Sequence, residues 1–395
     1  VTEAPVPAGA IDYEVISLLS DLVRIESVNP SLAPSGSGEA AIAGFVADWA
    51  HRHGLATEWF GPPQRPSLLV TSFRGEPPDG AVLVLCGHLD TVGLGDQPDP
   101  LVPRIDGDRL VGRGAYDMKA GLAAALLACR TAAQLAAADE ITGAVIVAAV
   151  ADEEFASDGV QVVSERLVEL GAAGAIVLEP TELAIGVAHK GFVWTRIDID
   201  GVAAHGSRPH LGVDAVMQMG PVLVALGDLD RQLAERGHPL LGPGNLHASL
   251  VSGGTEESTI PAHCSLVVER RTLPGETVAD VEADVEAVLD ACRAADPRLV
   301  VTASTTLARE PMETPIDAPV ANVLADAVTL ASGREPQLAG MSYWADSGFL
   351  SAAGIPSVVF GPAGDGAHAD HEWVSIASTV TCAEALSATV RAFCR

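Results

Sequence analysis

His88 and Asp90 stand two residues apart in "CGHLDTVGLGD", directly after the apolar run "AVLVL". On an extended backbone, residues i and i+2 point the same way. The pair reads as an imidazole able to bind a metal, with a carboxylate beside it to hold its second nitrogen. More acids and histidines follow apolar runs in the same manner. Asp117 lies in "GRGAYDMKAG", Glu153 and Glu154 in "VAAVADEEFASDG", Glu179 in "IVLEPT", and His368 and His371 in "GPAGDGAHADHEWV". Singly, each has a plain reading: Asp117 as a helix N-cap, the paired glutamates as a solvated turn, Glu179 before Pro180 as the end of a strand. Together they place histidines and carboxylates at the strand ends of one domain, where open α/β sheets collect ligands. A mixed N/O set suits zinc-like divalent ions. It exceeds the needs of one tetrahedral ion, whereas two ions about 3.5–4 Å apart and sharing a carboxylate would use it.

The elements that must position these residues follow from the hydrophobic pattern. Short β-like runs, "LLVTSF", "AVLVLCG", "AVIVAAVA" and "GAIVLE", are separated by helical stretches such as "MKAGLAAALLACRTAAQLAA". Buried strands alternating with helices predict an α/β sheet that is mostly parallel. Helices are also expected over "IDYEVISLLSDLVRI", with Asp12 as N-cap, and over Gly38 to His53. Near Gly186 the texture changes. "FVWTRIDIDG", "NLHASLVSGG" and "HCSLVVERR" alternate apolar and polar residues, and helical stretches at about 214–236 and 276–295 lie among them. This predicts an antiparallel α+β unit with one solvated face. From about Asp317 the first texture returns, with a helix in "APVANVLADAVTLA", a strand in "PSVVFG" and a final helix near Ser378 to Phe393. Residues 190–305 therefore read as a unit inserted into a catalytic domain of residues 1–189 and 306–395.

Composition bounds the function. A chain of 395 residues with 48% hydrophobic residues predicts two domains with substantial cores. Only 4% of residues are aromatic, so Ala, Val and Leu must fill them. The formal net charge of −29 argues against nucleic acid or an anionic membrane as a partner. The six cysteines are scattered and form no C-x-x-C pair, which fits reduced thiols and a cytoplasmic location. No apolar run reads as a membrane span. The segment to about Ala10 reads as a flexible arm without a leader's apolar core.

The stretches "GHLDTV", "GRGAYDMKAG", "DEE", "LEPT", "GVAAHGSRPHLGVDA", "RTLPGE" and "AHADHE" resemble the M20 metallopeptidase family. That family contains acetylornithine deacetylase, succinyl-diaminopimelate desuccinylase, aminoacylase and glutamate carboxypeptidase. The related M28 aminopeptidases share the metal pattern but lack the inserted lid. The resemblance implies that His88 binds one ion and that Asp90 orients it. It implies that Asp117 bridges two ions, Glu154 and His368 bind the second and Glu179 the first, and His371 is a neighbour only. It also implies a cis Asp117–Met118 peptide bond and Glu153 as general base. On an extended backbone Glu153 and Glu154 would point to opposite sides, one to metal and one to substrate. Water between two such ions is acidified toward a pKa of ~7, and Glu153 can take its proton. By the same resemblance His205 of the lid donates to the oxyanion in the partner subunit's site, which implies a homodimer; a strand-end histidine that stabilises the "HGSRPH" turn is the alternative. The resemblance also implies that Arg271 holds a substrate carboxylate, a job that suits a guanidinium; a basic surface pair with Arg270 is the alternative.

Two features bear on the substrate. Ser258 in "STIP" replaces the family's usual Asn with a shorter hydroxyl. Tyr343 and Trp344 precede Asp346 in "MSYWADSGFL", as an aromatic wall for a larger group or as core packing. The leading expectation is an amidohydrolase, acetylornithine deacetylase-like, acting on an N-acyl amino acid through two divalent ions, zinc before cobalt or manganese. The alternative is a dipeptidase or carboxypeptidase of the same family acting on a short peptide. By the family resemblance, Glu179 rather than Asp fits deacylases and carboxypeptidases better than aminopeptidases, without separating the first two. A binding protein without turnover is disfavoured because every motif position is filled. The chain carries neither a G-x-S-x-G elbow nor a P-loop.

Overall fold

The structure, a computed structural model, describes residues 10–395, so the expected N-terminal arm lies outside the described residues. The chain forms two compact units. One comprises residues up to 187 with 314–339 and 345–395; the other comprises 188–313 with 340–344.

In the first unit, alternation inside the strands sorts side chains to two faces. Leu83, Leu85, Val145 and Val147 enter one core, while Val82, Val84, Ala144 and Ile146 enter another. A strand covered on both faces reads as a continuous apolar run, which is why "AVLVL" and "AVIVAAV" show no period of two. The strand Val82–His88 runs parallel to Ala144–Val150 on one side and to Ala172–Val177 on the other, and the latter is parallel to Ser357–Val359. Toward one edge, Ser67–Thr71 and Ala56–Phe60 add antiparallel strands. The sheet is thus parallel in the middle and antiparallel outside it.

The helices Ala10–Val23, Ala120–Ala137, Pro319–Ser332 and Ile376–Phe393 supply the first core, and Asp158–Glu169 and Ser347–Ala352 the second. Asp12 lies within the first turn of its helix, which starts earlier than the N-cap expectation required. The stretch Ala115–Ala137 is long and apolar enough to cross a membrane, against the expectation that no run would be, but 67% of its apolar window is buried within the fold. Gly121 explains how this helix comes so close to the sheet. A Cβ there would lie 2.3 Å from the Leu178 carbonyl oxygen.

The second unit contains a four-stranded antiparallel sheet in the order Asn245–Gly253, His263–Thr272, Gly191–Asp200, Val300–Arg309. Ile197, Ile199, Leu266 and Val268 pack on the helices Ala215–Leu233 and Val278–Ala295. Asp214 caps the first helix by accepting from the Met217 amide, and Thr277 and Asp280 form a reciprocal capping box on the second. The strand Val300–Arg309 stays paired with Gly191–Asp200 as far as Arg309. This carries the unit beyond the expected limit at residue 305.

Candidate metal centre

Each acidic or histidine residue at the centre is delivered by the end of a strand or by the loop after it. His88 is the last residue of its strand and is 1% exposed. Glu179 stands two residues past the strand Ala172–Val177. Asp117 sits in a turn before the helix Ala120–Ala137, entered through left-handed Gly114 and containing the cis Asp117–Met118 peptide. It therefore does not cap that helix. Glu153 and Glu154 follow the strand Ala144–Val150 and occupy a turn entered through Asp152 at φ 69°. They are not on extended backbone, so the expectation that they point to opposite sides loses its basis. His368 also adopts a positive φ, 61°.

These residues form two donor groups that share one carboxylate. His88, Asp117 and Glu179 make the first; Asp117, Glu154 and His368 make the second, with ligand atoms inside 4.8 Å in each. Asp117 turns Oδ1 to His88 Nε2 at 3.1 Å and Oδ2 to His368 Nε2 at 3.5 Å. Glu179 Oε1 lies 3.8 Å from His88 Nε2, and Glu154 Oε2 lies 2.8 Å from His368 Nε2. His371 is exposed and belongs to neither group. Glu154 Oε1 and Glu179 Oε1 are buried without a hydrogen-bond partner.

The electrostatics follow from crowding acids where water is scarce. Burial, then the Glu179 charge, pushes Glu153 well above the usual carboxylate range. Burial likewise raises Glu154 and Glu179. Burial also works against ionised Asp117, but hydrogen bonds from His368 and His88 outweigh it and hold that carboxyl below its usual range. Burial disfavours the His88 cation, yet Glu179 and Asp117 draw its proton affinity well up. The carboxylates of Asp117 and Glu154 raise His368 to about 10. Such a set demands positive charge. Mixed imidazole and carboxylate donors with partnerless buried oxygens fit divalent cations.

Two further carboxylates hold the loops in place. Asp90 was expected to orient His88 with its side chain. Instead its main-chain oxygen meets His88 Nδ1 at 2.9 Å, while the carboxylate stays 3.7 Å away. That carboxylate accepts from the Glu153 and Glu154 amides, both at 3.2 Å. It shapes the acidic turn because residues 89 and 90 lie past the strand end. Glu372 does the same for the Asp117 loop. It accepts from the amides of Gly114, Tyr116 and Asp117 at 2.8, 2.9 and 3.0 Å, and from Arg113 Nη1 at 2.9 Å. Sequence reasoning missed Arg113, Asn29 and Asp152 as supports, and Asp346 as a charge beside Glu153 and Glu179. Asn29 lies outside every motif stretch, whereas Arg113 and Asp152 lie inside "GRGAYDMKAG" and "DEE" beside the residues that take the metal roles. Asp346 follows the "SYW" stretch, where the aromatic residues and not the acid draw attention in the sequence.

The remaining predicted residues belong to the second unit. His205 is exposed on a short strand paired with Thr259–Ile260, and its Nδ1 accepts from Ser207. Ser258 lies in the neighbouring exposed turn, tied to it by the bond from the Gly206 amide to the Ser258 oxygen. Arg271 is apart from both: its Nε donates to Glu269 at 2.6 Å and its guanidinium lies 5.4 Å from the Phe192 ring. Arg270 is buried and paired with Glu276, so the two arginines are not a surface pair. Trp344 packs edge-on to Phe192 and His189 and donates Nε1 to the Glu310 oxygen.

Residues 84–392 match the model of peptidase family M20/M25/M40. The chain belongs to that family, whose members hydrolyse amide bonds. The acetylornithine deacetylase of Myxococcus xanthus is 31% identical over 82% of this chain and 84% of its own. The succinyl-diaminopimelate desuccinylase of Sulfurovum sp. (strain NBC37-1) is 26% identical over 96% of this chain and 99% of its own. Among solved structures, an M20 family metallo-carboxypeptidase from Sulfolobus solfataricus has a TM-score of 0.76 at 17% identity, over 96% of this chain and 99% of that one. A dinuclear metal-binding M20 peptidase from Bacillus subtilis has a TM-score of 0.73 at 16% identity, over 98% and 99%. These likenesses show a shared fold.

Glu372→Ala should leave the Arg113 guanidinium, 2% exposed, without its carboxylate. Removing one partner of a buried ion pair costs about 3–5 kcal/mol. We expect the unfolding free energy of metal-free protein to fall by that much, read as a lower denaturant midpoint at unchanged m-value. A variant as stable as the parent would show that Glu372 does not anchor the loop.

Proposed function

We propose that the protein is a metal-dependent amidohydrolase that removes the acyl group from an N-acyl amino acid, as an acetylornithine deacetylase does. The carrying observation is the pair of donor groups sharing Asp117, with the Glu154 and Glu179 oxygens buried and partnerless. A buried polar atom left unpaired is costly, and a cation is the partner this set lacks. His88, Asp117 and Glu179 would hold one divalent ion, and Asp117, Glu154 and His368 a second. Zinc suits the donors best, with cobalt and manganese as alternatives. When bound, such ions polarise a carbonyl and lower the pKa of water.

This chain's own residues supply the rest. Glu153, in the turn beside Glu154, takes the proton of the attacking water and returns it to the leaving nitrogen. Asp90 keeps that turn in place through the two amides. His205 of a partner subunit donates to the developing oxyanion. Arg271 receives the substrate carboxylate in place of Glu269, and Ser258 contributes a hydroxyl contact.

Support for a homodimer comes from the second unit. Its sheet ends on the strand Asn245–Gly253, which exposes Leu250 and Val251, and the helix Ala215–Leu233 exposes Met217 and Val224. A sheet edge of this kind pairs readily with a second copy. Six free, buried cysteines favour a reducing cytoplasm. A panel of N-acyl amino acids and dipeptides tests the reading. Turnover of dipeptides alone would replace it with the peptidase alternative.

Metal analysis of fully loaded protein should find two divalent ions per chain. None would remove this reading, and one would remove only the bridging role of Asp117. Glu153→Gln keeps the side chain's shape but cannot accept a proton, so kcat should fall by about 10²–10⁴ with metal content and fold unchanged. Near-parental kcat would exclude Glu153 as the base.

His205→Ala should lower kcat by about 10²–10³ with unchanged metal content. Mixing it with Glu153→Gln separates action in cis from action in trans. A mixed dimer in which His205 serves its partner has one site with both defects and one with neither, so activity returns. Proven subunit exchange without recovery would rule out action across the dimer.

A further inference from the structure

We propose that Asn29 is a positioning residue for the metal-binding turn, its side-chain amide tying Asp90 to Asp152 so that the turn holds Glu153 in place and Glu154 opposite His368. The inference deepens the functional reading above and rests on it for its catalytic consequence.

Asn29 is fully buried, 61 and 123 residues from the two carboxylates it joins. Its Nδ2 donates to Asp90 Oδ2 at 2.8 Å and to Asp152 Oδ1 at 3.0 Å. Its Oδ1 accepts from the Ser31 amide at 2.9 Å. Its backbone is anchored as well, with its amide donating to the Thr91 oxygen at 2.9 Å beside the Val28–Thr91 bridge. The amide is thus fixed at both ends before it meets the acids.

The two carboxylates it joins shape the turn. Asp90 receives the Glu153 and Glu154 amides. Asp152, at a positive φ, accepts from Arg65 Nη2 at 2.7 Å, and its own amide donates to Glu39. Glu39 in turn holds Arg65 through Nε at 3.1 Å and Nη2 at 2.7 Å. Arg65 neutralises the Asp152–Glu39 side of the cluster. On the Asp90 side, the Asn29 amide is the side-chain donor that separates two buried acids. Without it they would face each other at low dielectric, where repulsion is strong. The turn would then open, and Glu154 would leave its place opposite His368. Asparagine suits the position because it donates to both acids without adding a charge.

The test uses full-length protein, with Asn29→Ala, which removes the amide, and Asn29→Asp, which keeps its volume and its acceptor but not the donor. In metal-free protein, hydrogen exchange at the Glu153 and Glu154 amides should quicken about tenfold or more in both variants, as the loss of a buried donor implies. Exchange in the strand Ala144–Val150 should be unchanged. Affinity for Co(II), measured by chelator competition, should fall about 10–100-fold, and kcat should fall with little change in KM. Unchanged exchange at residues 153 and 154 would overturn the proposal. So would failure of both variants to fold, which would make Asn29 a scaffold residue. If the turn loosens as expected but the parent protein binds no ion, the positioning role stands and the functional reading fails.

Discussion

The constraint on which the molecule depends is the gathering of four carboxylates and two imidazoles into a small volume, buried at His88 and Glu179 and open to solvent at His368. Glu153, Glu154 and Glu179 are all pushed toward the protonated form by burial. Only Asp117, flanked by both imidazoles, is held ionised. No chain gathers such charges through packing alone, because each buried carboxylate costs several kcal/mol unless it is paired. The scaffold must hold the acids in place before any cation arrives.

It does so with two carboxylates outside both donor groups. Asp90 gathers the amides of Glu153 and Glu154; Glu372 gathers those of Gly114, Tyr116 and Asp117. Hydrogen bonds to a charged acceptor contribute about 1.5–3 kcal/mol each. Glu372 receives four, one of them from Arg113; they offset part of the cost of burying it, but burial still wins and pushes its carboxyl above the usual range. The strands then need to supply only fixed starting points, and the parallel centre of the sheet places the ends of Val82–His88 and Ala172–Val177 side by side.

The strands and helices that carry the centre were legible because burial leaves a pattern. Runs such as "AVLVL" and the alternation in "FVWTRIDID" report whether one or both faces of a strand are covered. The residues in the donor groups were legible as acids and histidines placed after those runs. The conformation of the loops was not. The pair Glu153–Glu154 was read as extended because a strand precedes it, yet the chain turns at Asp152. Asp90 was assigned to His88 on the same assumption and faces the acidic turn instead. Periodicity describes a residue's direction only while the element lasts, and both errors fall within four residues of a strand's end.

Asn29, Arg65 and Arg113 escaped for a different reason. Each acts on groups far away in sequence; Asn29 and Arg65 have no spacing that marks them, and Arg113 lies in "GRGAYDMKAG" but its partner Glu372 is 259 residues away. A hydrogen bond from Asn29 to Asp152 is visible only when the fold closes 123 residues of chain. What the sequence does hold is a charge imbalance: "AVADEEF" places three acids and no base immediately after an apolar strand, and "CGHLDTV" sets an Asp after another with only a histidine beside it. Buried acids must find donors. A search for asparagine and arginine near the starts of neighbouring apolar segments, "VNP" before the helix Ala40–Arg52 and "QRPSLLV" at the strand Ser67–Thr71, would have led to Asn29 and Arg65. The supporting residues were thus constrained by the same electrostatics that made the centre visible, and only their addresses required the fold.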